Sequence, residues 1–329
     1  MQLKALTKNA IGSICEGPLL RWRAANNARH TLNIAYYHFV GERKPYYNAF
    51  YSGCTIAKFA DDLKRLSKVF EFVPVSEIIS SGEILNRKAR PTIAISFDDG
   101  FDLRSTGVMD VLDRYRIKAT TFVITSCLSG SHMMWRHILS VIDNWVPSDR
   151  WRSEYSKLEQ SHGLNRVLLG QTLMQASSSW SMSRKDEWTT ALWNSCNLPP
   201  LEEYIYNARP YFNWDSLREW ISAGHSVGFH THTHPYCSKL LNSDIDKEIV
   251  QPAAHLKKEL GISDLAFSYP FGDRFRPEIE SELFSQKIFN SYLGIRGFSP
   301  IGTSPIKLER VGIEAANVGW AVFGRCAFR

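Results

Sequence analysis

The run from Pro91 to Ile124 constrains the fold more than any other stretch. It opens on PTIAISF, an unbroken apolar segment that reads as a buried strand, and DDG breaks it. STGVMDVLDRYR then carries apolar residues at helical spacing, and KATTFVI (118–124) is a second β-rich run. Strand, acidic turn, helix, strand is a βαβ unit, which implies a parallel pair with a right-handed crossover.

The alternation resumes near residue 214. WDSLREWISAG reads as a helix ending at Gly224, and HSVGF as the strand that follows. SDIDKEIVQPAAHLKKELG reads as a helix that Pro252 must kink or divide. LAFSYPFG predicts a strand and turn, RPEIESELFSQ a helix and NSYLGI another strand. Upstream, TLNIAYYHF (31–39) predicts a strand ending at Tyr37 and His38. IAKFADDLKRLSKVF (56–70) predicts a helix, and FVPVSEII a short strand and turn. Repeated βα units specify an α/β fold, either a doubly wound sheet or a β/α barrel. Residues 136–212, rich in Trp, Ser and charge, read as a mostly helical insertion between two halves of one domain spanning 31–329.

Residues 1–30 form a basic leader, with Lys4, Lys8, Arg21, Arg23 and Arg29 against Glu16 alone. With Leu3, Leu6, Ile11, Ile14, Leu19, Leu20 and Trp22 it suits an anionic membrane surface as well as a plain solvated helix. No stretch approaches the ~18 apolar residues of a bilayer span. The start also lacks the compact apolar run and cleavage site of a secretory signal. Six cysteines are scattered without a CxxC pair, as expected of reduced thiols in a cytoplasmic protein. The net charge of +6 is too small for a nucleic-acid partner to be expected.

Catalytic groups in α/β folds gather on loops after the C-terminal ends of strands. Three such loops carry chemistry here: FDDG (97–100), HTHTHP (230–235) and YPFGDR (269–274). Asp98 and Asp99 are adjacent carboxylates that repel unless a cation binds one and leaves the other as a base. Imidazole and carboxylate together suit zinc and similar ions. Spacing i, i+4 selects His230 and His234, while i, i+2 on a strand keeps His232 in play, and Pro235 disfavours a regular helix at His234.

SFDDG, GHSVGFHTHTHP and FSYPFG, in this order and at βα spacing, resemble the polysaccharide deacetylase family, the NodB-homology group. AYYHFV near the start and KLERV with GIEAANVG near the end extend the resemblance over roughly 30–315. It implies a distorted (β/α) barrel that hydrolyses N-acetyl or O-acetyl groups on sugars with a divalent metal, zinc or else cobalt or nickel. By position, Asp98 matches the general base, and Asp99, His230 and His234 match the metal ligands. Phe271 matches the residue whose backbone N–H holds the oxyanion, and Tyr269, His38 and His232 are candidate substrate contacts. Two positions depart from the pattern. Ser268 stands where an Arg often orients the catalytic Asp, and Arg310 stands where a His is the usual general acid. Arg is a poor proton donor, so the acid falls to water, His232, His38 or Asp98 returning its proton, and a role for Arg310 would be electrostatic.

The expected function is therefore a deacetylase acting on a nucleotide-linked or lipid-linked saccharide in intracellular glycan or surface-polysaccharide biosynthesis. The expected location is cytoplasmic, peripheral at the inner membrane face. The alternatives are a carbohydrate-binding member that has lost turnover, or related amide or formyl chemistry on an amino sugar.

Overall fold

In the computed structural model, which describes residues 17–327 apart from 43–44, 52, 86–87, 163, 165, 169 and 316, the apolar runs become parallel strands. A run apolar at every position needs cover on both faces, and helices supply it here. β1 (Ile34–Tyr37), β2 (Thr92–Phe97), β3 (Thr120–Val123), β4 (Ser226–Phe229), β5 (Ala266–Ser268) and β6 (Ser291–Gly294) lie side by side in chain order. Every one of these pairings is parallel. β7 (Lys307–Glu309) then pairs with β6, and β8 (Val311–Gly312) pairs with β1. Only Arg310 separates β7 from β8, so the segment 307–312 bridges the last strand to the first. The eight strands form a nearly closed (β/α) barrel, as the resemblance implies.

All six residues of β2 are buried, and fully burying a side chain such as Ile93, Ile95 or Phe97 contributes roughly 1.5–3 kcal/mol. Helix α1 (Pro18–Ala28) precedes β1. α2 (Ile56–Leu66) and α3 (Val75–Leu85) connect β1 to β2, and α4 (Val108–Arg114) connects β2 to β3. α2 starts where the Thr55 side chain accepts the Lys58 N–H, and it buries Phe59, Leu63 and Leu66 on one face. α3 differs from the expected turn: Val75 and Ile78, three apart, are both buried, which favours a helix over an extended exit from the strand.

Between β3 and β4 lie α5 (Trp135–Trp145), α6 (Ser148–His162), α7 (Lys185–Ser195), α8 (Leu201–Ala208) and α9 (Trp214–Ser222). α10 (Gln251–Leu260) follows β4, and α11 (Pro277–Ser285) follows β5. Pro252 divides its helical run as expected, with a wider π-helical turn at Asp246–Val250 before it. Trp135 and Trp220 are buried in the core, and Trp214 packs partly buried against it. No helix among the described residues is long and apolar enough to cross a membrane. The basic leader lies outside the described residues up to position 16, and its remainder contains the whole of α1.

Candidate active site

Because the strands are parallel, their C-terminal ends share one rim, and the loops after β1, β2, β4 and β5 meet there. The turn after β2 is tight, with Asp99 at φ 67° and Gly100 at φ 68°. Asp tolerates this left-handed conformation, and at Gly100 a Cβ would stand 3.1 Å from the Val123 Cα. Gly100→Ala is therefore expected to lower stability by about 1–3 kcal/mol, read as a shift in the urea midpoint.

The loop after β4 coils at once. Thr231 adopts φ 68° and its hydroxyl accepts the His234 N–H at 2.9 Å. This coil breaks the strand alternation, so His230 and His234 converge while His232 turns away. His232 Nδ1 lies 2.9 Å from Thr125 Oγ1, beside a separate cavity of ≈ 530 Å³ that Glu248 and His255 also line. The i, i+4 pair comes together at the rim and the i, i+2 pair does not.

Asp99 Oδ1 lies 3.4 Å from His230 Nε2 and 3.3 Å from His234 Nε2, and the two Nε2 atoms are 3.1 Å apart. All three residues are buried, and one ligand atom from each fits within 4.8 Å of the others. His230 Nδ1 is 2.8 Å from the Ser268 carbonyl. A carbonyl only accepts, so that nitrogen carries the hydrogen and Nε2 offers its lone pair. Burial pulls the His234 pKa down to about 3 against the opposing charge of Asp99, so this imidazole is neutral. Burial disfavours ionised Asp99, but contacts with His137, His230 and His234 outweigh it and hold the carboxyl well below the usual range. Neither oxygen of Asp99 has a hydrogen-bond partner among the described residues. An ionised, buried carboxylate without hydrogen bonds among the described residues, facing two imidazole Nε2 atoms, is costly alone and suited to a divalent cation.

Asp98 is paired instead. Arg310 Nη1 donates to Oδ1 and Nη2 to Oδ2, each at 2.8 Å. Nη2 also donates to Ser268 Oγ at 2.6 Å, and that hydroxyl donates to Asp98 Oδ2 at 3.3 Å. The guanidinium is fully buried between the rings of Tyr36 (4.8 Å) and Phe122 (5.0 Å). Gly228 leaves room for Phe122, since a Cβ there would meet that ring at 2.3 Å. Burial pushes the Asp98 pKa up, but the charge of Arg310 prevails and lowers it below the ordinary value. The two departures are thus one arrangement: the arginine approaches Asp98 from the closing strand, and Ser268 completes its contacts.

His38, at the end of β1, pairs through Nδ1 with Glu314 Oε2 at 2.9 Å. Burial works against its charge, but the Glu314 bond and the charges of Asp99 and Asp98 raise its pKa to about 9. Its side chain remains 22% exposed, so it lies near the rim rather than sealed in the core. Phe271 sits at φ 59° in a tight turn where Gly272 N–H donates to the Tyr269 carbonyl at 3.0 Å. The Phe271 ring packs edge-on against His234 at 4.5 Å. Tyr269, expected to contact substrate, is placed otherwise. Its ring is buried among Phe267, Phe275 and Tyr292, and its hydroxyl donates to Glu280 Oε1 at 2.6 Å.

Several residues at the site carry no sequence signal of their own. Trp135 Nε1 donates to the His234 carbonyl at 3.0 Å and braces the histidine loop. His137 and Tyr51 come from α5 and the loop after β1, neither next to a recognisable motif, and Glu314 comes from GIEAANVG beyond β8, where nothing marks it as a site residue. The five described cysteines are buried thiols, and Cys15 lies outside the described residues.

The family model described as polysaccharide deacetylase matches residues 86–282. The fold resembles the Streptococcus pyogenes deacetylase PplD in complex with acetate (TM-score 0.56, 15% identity, 89% of this chain and 98% of that one). It also resembles IcaB from Ammonifex degensii (0.56, 18%, 91% and 97%). A third neighbour is a de-N-acetylase from Aggregatibacter actinomycetemcomitans (0.52, 13%, 86% and 95%). At these identities the likeness establishes the barrel alone. No curated protein matches the chain by sequence. With the match spanning more than half its length, the chain belongs to the polysaccharide deacetylase family, hydrolases of the C–N amide bonds of acetylated sugars.

Proposed function

We propose that this deacetylase is metal-dependent, with Asp99, His230 and His234 as ligands, Asp98 as general base and the Phe271 backbone N–H as oxyanion contact. The observation that carries this reading is the ionised Asp99, without hydrogen-bond partners among the described residues, facing two imidazole Nε2 atoms. Such a set accepts zinc first and cobalt or nickel as well. A divalent ion held there would polarise the acetamide carbonyl and lower the pKa of an attacking water.

The chain's own groups divide the remaining work. Asp98 is kept ionised by Arg310, and its Oδ1, which accepts from the arginine alone, retains a lone pair with which to take the water proton. The amide N–H of Phe271 stabilises the oxyanion that forms on the former carbonyl. The leaving amine needs a proton, and His38 supplies it. Its raised pKa keeps it protonated at neutral pH, and Glu314 fixes its ring. His38→Gln is expected to lower kcat about 10²–10⁴-fold. The loss of wild-type kcat on the alkaline side, where His38 gives up its proton, should vanish in the variant. An unchanged alkaline limb in a pH–rate series of His38→Gln would remove His38 from this role.

The substrate fits an acetylated saccharide held in lipid-linked or nucleotide-linked form, as in intracellular glycan or surface-polysaccharide biosynthesis. Support for a peripheral membrane position at the inner face comes from α1, where exposed Leu19 and Trp22 stand beside Arg21 and Arg23. Incubation with free, nucleotide-linked and lipid-linked acetylated sugars, followed by mass, tests this. Loss of one acetyl group from a linked sugar supports it; turnover confined to free polysaccharide, or loss of a formyl group, contradicts it.

A further inference from the structure

Asp99 has a second oxygen, and it faces a third histidine. His137, on α5, places Nε2 3.6 Å from Asp99 Oδ2. The ring is fully buried and that nitrogen has no hydrogen-bond partner among the described residues. His137 does not join the set whose ligand atoms lie within 4.8 Å of one another, so it is no fourth ligand in this arrangement.

Its tautomer follows from its other neighbours. Nδ1 lies 2.5 Å from the hydroxyl of Tyr211, and that hydroxyl oxygen accepts the Met134 N–H at 3.3 Å. The Tyr211 proton has one acceptor among these groups, Nδ1, and a buried hydroxyl left without an acceptor is costly. Tyr211 therefore donates to Nδ1, and the hydrogen of neutral His137 sits on Nε2, aimed at Asp99. Ring contacts with Phe101 at 5.0 Å, Tyr211 at 5.7 Å and Tyr51 at 5.9 Å hold the ring plane.

We propose that His137 is a positioning residue of the metal centre: its Nε2–H, aimed at Oδ2 of Asp99 from 3.6 Å, restrains that oxygen by electrostatic attraction and not by a formed hydrogen bond, leaving Oδ1 alone turned toward His230, His234 and the ion. The relay runs from the Met134 N–H through Tyr211 and His137 to the carboxylate. It draws α5 into the working part of the site. Without it the carboxylate could rotate or offer both oxygens, and each departure loosens the geometry the ion needs. Partners of this kind are worth about 10–100-fold in metal affinity. This inference rests on the metal-dependent reading above.

The test is a zinc titration of the full chain against a chromophoric chelator, with thermal unfolding of each metal-free protein alongside. His137→Phe fills the space without a donor and is expected to weaken zinc binding about 10–100-fold while metal-free unfolding moves little. His137→Gln, which keeps an N–H near Nε2, should recover most of the loss. Tyr211→Phe releases Nδ1 and should weaken zinc binding by less than His137→Phe. Wild-type affinity in a folded His137→Phe would overturn the proposal, as would a glutamine variant no better than the phenylalanine one. If His137→Phe does not fold, Tyr211→Phe and His137→Gln decide: both weakened, each by less than tenfold, supports the relay, and both unchanged overturns it. A wild-type chain that binds neither zinc, cobalt nor nickel would overturn this inference and the metal reading together, an outcome distinct from equal binding by wild type and variant.

Discussion

Replacing Arg310 by histidine is expected to remove most of the deacetylase activity, although histidine is what the family usually carries at that position. The reason is the bidentate pair with Asp98, two bonds of 2.8 Å in a site closed to solvent. Breaking a buried pair leaves an uncompensated charge and costs about 3–5 kcal/mol of stability. Asp98 would also lose the charge that opposes its desolvation, so its pKa would rise and less of it would be ionised at neutral pH. A loss of at least about 10²-fold in kcat is expected, since a misplaced or protonated base forfeits most of what general-base catalysis contributes. Arg310→Lys should fall between the two, keeping the charge without the planar fork. Steady-state kinetics and urea unfolding of both variants decide the matter. Wild-type kcat in Arg310→His would show that the guanidinium does not hold the base.

Replacing one of the proposed metal ligands is expected to have the other large effect. His234→Ala or Asp99→Ala is expected to lower kcat at least about 10³-fold, because the ion contributes several kcal/mol of charge stabilisation and each 1.36 kcal/mol is tenfold. Asp98→Asn should be comparably slow yet keep its metal, since Asp98 stands outside the ligand cluster. Metal content measured beside acetate release separates the two classes. An Asp99→Ala chain that retains both metal and turnover would contradict the ligand assignment.

Much of the barrel was legible because most of its strands are short runs rich in apolar and β-branched residues, bounded by Gly, Pro and Asp. The helix at Val75–Leu85 was not, since VSEII is too short for its period to show and only burial of Val75 and Ile78 reveals the face. The histidine pair was legible down to two candidates by spacing. Thr231 decided between them through a backbone turn that no side-chain pattern announces. Tyr269 was misplaced because its motif speaks for the turn, whereas its phenol serves the core through Glu280.

Arg310 is the instructive case. Its partner Asp98 lies 212 positions away, so no local pattern could pair them. One signal was present: an arginine missing at Ser268 and an arginine found at 310, the two departures standing in for each other. His137 and Glu314 offered no such hint, because a lone histidine on an amphipathic helix looks ordinary and GIEAANVG does not mark its glutamate as a site residue. Their meaning arises from what the barrel rim places opposite them.

The most direct measurement is acetate release from an acetylated oligosaccharide by the untreated chain, by the chain after chelator and dialysis, and after zinc is restored. Activity that disappears with the metal and returns with it, while Asp98→Asn binds zinc and releases no acetate, is the expected result. Full activity in the stripped chain, with no metal remaining by elemental assay, would contradict a catalytic metal at Asp99, His230 and His234.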